Sequence, residues 1–81
     1  MTIVTERSEY RFEDGVCTGQ RVRGEPGWRS QHPCVGQRLL GVLAPRERVM
    51  IGAPPAIGTR LIVGDAISST IVSIELHSSA A

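Results

Sequence analysis

Apolar and polar positions alternate most cleanly at Glu9-Tyr10-Arg11-Phe12-Glu13. Tyr10 and Phe12 fall on one side and the charges on the other, which predicts a half-buried strand. Asp14-Gly15 is a turn dipeptide, and residues 16–23 predict a second strand closed by Gly24. Glu25-Pro26-Gly27 predicts another turn. Residues 24–34 read as an exposed loop carrying Trp28, Arg29, Gln31 and His32. Residues 35–43 are apolar but broken by Gly36 and Gly41, as in a strand with a bulge or a close backbone approach. Residues 45–51 are ambiguous: Pro45 suits the start of a helical turn, whereas Val49 and Ile51 favour a strand. Residues 52–56, with Pro54-Pro55, form a stiff connector.

The last third carries the strongest signal. Residues 59–63 and 66–77 are strand-like, with Gly64-Asp65 between them as a two-residue hairpin turn. Val72, Ile74 and Leu76 share one face, and Ser73, Glu75 and His77 the other. Ile67, Ser69 and Ile71 have the opposite parity, so either both faces are covered or a bulge near Thr70 switches them. The expected interior gathers Tyr10, Phe12, Val72 and Ile74.

Seven Ile and eight Val outnumber five Leu, which favours strands, and nine Gly with five Pro leave little room for a long helix. The fold class expected is all-β: a small antiparallel β-barrel of about six short strands, one domain over residues 1–77, with a flexible tail at 78–81. A chain of 81 residues lies near the lower limit for an independent core, so help from a partner or an oligomer is in keeping with its size.

Composition excludes several classes. There is no run of about 18 apolar residues for a membrane helix, and residues 1–11 hold no apolar secretory core. Two Cys are too few for a disulfide scaffold. All nine basic residues are Arg; with no Lys, no phosphate-binding Gly-Lys-Ser/Thr loop exists. The absence of Lys and Asn fits the codon usage of a GC-rich bacterium, so the Arg count alone carries no function. Its placement is uneven nonetheless: net −2 over residues 1–19, +5 over 20–60 and −2 over 61–81, which sums to +1. A basic middle suits an anionic ligand or a protein partner.

Candidate chemistry is sparse. Cys17, His32, Cys34 and His77 are of zinc-ligand type, but no Cys-x-x-Cys knuckle is present and Pro33 stiffens the His32–Cys34 pair. Cys17 and Cys34 could pair as a disulfide in an oxidising compartment; reduced thiols suit an intracellular chain. Cys34 beside His32 and Arg29 is the enzyme alternative, a thiol nucleophile with no orienting third group in sequence. Trp28-Arg29 is the most informative surface feature, readable as a partner anchor or as a lid on a core poor in aromatics. RNA binding would need aromatic platforms interleaved with cations, and one Trp beside Arg21, Arg23 and Arg29 supplies little of that.

The order of motifs resembles the C-terminal β-barrel domain of elongation factor Tu. Glu13-Asp14-Gly15 is followed by Gly27-Trp28-Arg29-Ser30-Gln31-His32, then Leu43-Ala44-Pro45, Leu61-Ile62-Val63-Gly64-Asp65 and Ile71-Val72-Ser73-Ile74. Ser30 stands where that family carries Pro, and the centre is shorter. The resemblance implies an interaction module, since in the parent factor this barrel touches transfer RNA and a neighbouring barrel. The function expected is a non-enzymatic, cytoplasmic binding module with no cofactor, taking a protein partner first and RNA second. Its working face is the Arg/Trp loop 21–34, with Arg21, Arg23, Trp28, Arg29, Gln31 and His32 as the working residues. The alternative is an accessory protein of a mobile element or biosynthetic cluster that works as a homo-oligomer through an exposed strand edge.

Overall fold

Seven antiparallel strands make up one sheet in this computed structural model, which describes residues 1–76. They are β1 (Thr2–Thr5), β2 (Ser8–Glu13), β3 (Val16–Val22), β4 (Leu39–Ala44), β5 (Arg48–Ile51), β6 (Arg60–Val63) and β7 (Ala66–Glu75). Their order across the sheet is β3-β2-β1-β7-β6-β4-β5. The all-β expectation holds. The expected strand count falls short by β1, a run of β-branched residues buried without alternation. His77 and the tail at 78–81 lie outside the described residues.

The sheet is not closed as a barrel, which corrects that part of the expectation. Closure would require β3 to pair along β5 at the other end of the order. Instead the chain leaving β3 folds back along β3's own outer edge. Gln20 and Arg29 exchange backbone hydrogen bonds of 3.2 and 2.7 Å, and Val16 bridges Arg38. Residues 29–39 thus strap the β3 edge and lead into β4.

Two turns follow directly from their residues. Asp14 and Gly15, both at positive φ (51° and 77°), connect the paired Glu13 and Val16. This left-handed pair matches the twist of a two-residue hairpin. Gly64, at φ 59°, opens the turn between the paired Val63 and Ala66. The helical turn at 45–51 is not formed. Arg46 and Glu47 adopt positive φ (67° and 57°) and close a hairpin between Ala44 and Arg48. Strand twist has overridden the helical preference of Pro45-Arg46-Glu47. Residues 33–36 form a turn, so the strand expected from residue 35 starts at Leu39.

The core gathers Ile3, Tyr10, Phe12, Cys17, Cys34, Leu61, Val63 and Ile71, with Met1, Val35, Leu39, Ala66 and Ile74 packed against it. Tyr10 and Phe12 share it as expected, their ring centroids 6.5 Å apart. Val72 does not: it is exposed, and Ile71 takes the inward place. Two register shifts on β7 explain this. Against β6, Arg60 pairs with Thr70 but Ile62 with Ile67; against β1, Val4 pairs with Ser73 but Thr5 with Ile71. The irregularities bracket Thr70, where the parity conflict pointed. Ser68 repairs the first slip: its Oγ accepts the Leu61 N–H at 2.8 Å where the ladder carbonyl is out of register.

Candidate functional site

On the outer face of β2 and β3 the alternation that sends Tyr10 and Phe12 inward sends Glu9 and Arg11 outward. Their partners on β3 are Arg21 and Gly19. A register shift between Arg11 and Phe12 allows Cys17 to point inward while Gly19 and Arg21 remain outside. Gly19 leaves a bare patch of backbone, and Trp28 lies on it. A β-carbon at Gly19 would sit 3.4 Å from both Cβ and Cε3 of Trp28.

Two guanidinium groups lie over the tryptophan ring. Arg21 Cζ lies 4.3 Å and Arg11 Cζ 4.9 Å from the ring centroid, within cation–π range. Arg21 is itself held: its Nε and Nη2 donate to the two carboxylate oxygens of Glu9 at 3.0 and 3.1 Å. This fork-on-carboxylate geometry is the strong form of an ion pair. Trp28 is therefore half-buried on the outer face of the sheet. It is neither a lid on the inner core nor a free side chain.

Arg21 holds the Glu9 carboxyl below its usual value of 4.5, chiefly through the side-chain hydrogen bond, against the opposing effect of burial. Folded Glu9 therefore binds its proton less readily than unfolded Glu9. The resulting stabilisation is complete above the ordinary carboxylate value and is lost as pH falls through the lowered one. Glu9→Gln is expected to lower stability at neutral pH and to flatten the acid limb of a stability–pH profile measured by urea denaturation. Superimposable acid limbs for the two proteins would show that the pair contributes nothing.

Beyond Trp28 the loop opens into a concavity of about 520 Å³ lined by Trp28, Arg29, Ser30, Gln31, His32 and Pro33. Four of the six residues singled out in the sequence thus meet at one site: Trp28, Arg29, Gln31 and His32. Arg21 stands behind it, stacked on the ring. Arg23 is exposed and does not line it. The basic face is partly neutralised, because Arg21 pairs with Glu9 and Arg29 lies 3.5 Å from Glu25. Sequence reasoning missed Glu9, Arg11 and Gly19. The alternation that places Glu9 and Arg11 outside was visible, but their pairing with Arg21 and Gly19 depends on the bulge.

Cys17, Cys34 and His32 have structural roles. Cys17 and Cys34 are free, buried members of the core. Burial pushes both thiols above their ordinary value, the reverse of the lowering a nucleophile needs. His32 Nδ1 accepts the backbone N–H of Cys34 at 3.1 Å, so the imidazole braces the turn and leaves the thiol alone. No group of three or more metal-ligating side chains forms among the described residues, and His77 lies outside them. No helix is long and apolar enough to cross a membrane among the described residues.

The chain matches no known protein-family model, no curated protein and no solved structure. The resemblance to the C-terminal barrel of elongation factor Tu accordingly rests on its sequence motifs alone.

Proposed function

We propose that the protein is a non-enzymatic interaction module that takes a protein partner, in the cytoplasm, through its Arg- and Trp-bearing segment 21–34. Trp28 is the apolar anchor, and Arg29, Gln31 and His32 surround it. The observation that carries this reading is how Trp28 is held: on Gly19, with the Arg11 and Arg21 guanidiniums over its ring, at the wall of an open concavity. An aromatic anchor already fixed in place loses little side-chain entropy on binding. Arg23, exposed beside the site, supplies orientation and on-rate more than affinity.

RNA is the less favoured ligand. A stacking base would compete with the two guanidinium groups that Trp28 already engages within its own chain. Two of the nearby Arg side chains are paired with carboxylates as well.

The test is affinity capture from the native host extract with the wild-type chain, Trp28→Ala and Gln31→Arg. Gln31 is exposed, so its substitution leaves the fold intact even if loss of Trp28 loosens the loop. The expected result is a protein retained by wild type and lost by both variants. Retention unchanged in both would overturn the site. Retention abolished by nuclease, and weakening steeply with salt, would replace the protein partner with RNA.

A further inference from the structure

The two ends of the sheet are treated differently. At one end β3 is strapped by its own chain through the Arg29 and Arg38 bridges. At the other, β5 pairs with β4 alone, and all four of its residues are exposed. Val49 is 59% and Ile51 68% accessible; Met50 and neighbouring Leu40 are exposed too. Soluble proteins usually blunt such an edge with proline, inward charge or a bulge. β5 is short and opens on Arg48, but Val49-Met50-Ile51 carries no proline, charge or bulge.

Gly52 N–H donates to the Leu40 carbonyl at 2.7 Å, which makes Gly41–Ile51 a non-hydrogen-bonded pair in the β4–β5 ladder. Alternation then turns the N–H and C=O of Met50 toward β4 and those of Val49 and Ile51 outward. These outward groups have no backbone partner among the described residues.

We propose that β5 pairs antiparallel with β5 of a second copy, about a two-fold axis through Met50. In this register Val49 faces Ile51 of the second copy on both sides of the axis, so the outward groups of both residues are satisfied within β5. Arg48 faces Gly52, so the two Arg48 side chains stay apart and no like charges oppose each other. Head-to-tail growth needs an open β3 edge, and the strap occupies it. The assembly therefore closes as a dimer instead of extending as a fibre. Val49, Met50 and Ile51 are the exposed apolar side chains at the seam, with Leu40 exposed on the neighbouring β4. A seam formed by one four-residue strand per copy belongs with the weak, transient contacts below about 1,000 Å². The dimer is weak and concentration-dependent.

Sedimentation velocity from about 1 µM to about 1 mM tests this, spanning dissociation constants suited to so small an interface. Wild-type mass is expected to rise from that of one chain toward that of two. Val49→Pro removes an N–H that the β4 ladder does not use, and Ile51→Glu places a charge at the seam. Both are expected to remain monomeric with wild-type circular dichroism. Met50→Cys is expected to form an intermolecular disulfide across the axis on mild oxidation, because facing non-hydrogen-bonded residues lie within disulfide reach. A wild-type chain that is monomeric throughout would overturn the proposal, and so would a dimer indifferent to both edge variants. Cross-linking through Val49→Cys or Ile51→Cys in preference to Met50→Cys would overturn the register. Trp28→Ala is expected to dimerise as wild type does, which separates this interface from the loop site.

Discussion

Gly41→Val is expected to cost about 3 kcal/mol or more, a large part of the stability of an 81-residue domain. Gly41 has an ordinary strand conformation, so its importance is a matter of space. A β-carbon there would overlap the Met50 carbonyl oxygen and lie 2.8 Å from Ile51 Cα and 3.0 Å from Gly52 N. All three are backbone atoms, and no side chain can rotate away to make room. β5 crosses close over β4 at this point because Gly41 lets it, and a branched side chain must push the two strands apart. The measurement is a urea midpoint together with hydrogen exchange at Met50, whose amide faces β4. A lowered midpoint and lost protection at Met50 are expected. An unchanged midpoint with Met50 still protected would show that the crossing has slack. The same variant should fail to dimerise, since the strand that pairs the two copies is displaced.

The close approach at Gly41 was legible in the sequence, and so were the turns at Asp14-Gly15 and Gly64-Asp65. Each depends on what one or two residues permit locally. β1 was missed for a related reason: Thr2–Thr5 buries three of its four residues and shows no alternation, so only its β-branching marked it. The hairpin at 45–47 was obscured because Arg46 and Glu47 are poor advertisements for a left-handed turn; two flanking strands impose it. Barrel closure was beyond reach. Whether β3 meets β5 or its own following loop depends on contacts between residues such as Gln20 and Arg29, which no local pattern encodes. The candidate site divides the same way. Trp28, Arg29, Gln31 and His32 are neighbours in sequence and meet in space. The Glu9–Arg21–Trp28–Arg11 arrangement depends on strand pairing and on a bulge, and only the fold brings it together.

The clearest case of local pattern giving way to register is β7, and it yields the second large effect. Ile71→Ala is expected to cost about 3 kcal/mol, whereas Val72→Ala should change stability by less than about 1 kcal/mol. Uninterrupted alternation with Tyr10, Phe12 and Ile74 ranks them the other way, with Val72 inward. Ile71 is 1% exposed and belongs to the core, while Val72 is 38% exposed at the point where β7 slips against β1. The slip is held from outside the apolar core. Thr5 Oγ1 donates to the Ser8 carbonyl at 2.9 Å and accepts from Ser69 Oγ at 2.8 Å, and the Glu6 N–H donates to the Thr70 carbonyl at 2.9 Å. These bonds fasten the β1–β2 turn to the middle of β7 and so fix which residue on each side of Thr70 turns inward. Two urea midpoints decide the matter. If Val72→Ala proves the more damaging change, the bulge is absent in solution and β7 alternates without interruption. If Ile71→Ala does, the slip is present in solution and Ile71 is the inward residue, beside the hydroxyl hydrogen bonds of Thr5, Ser68 and Ser69.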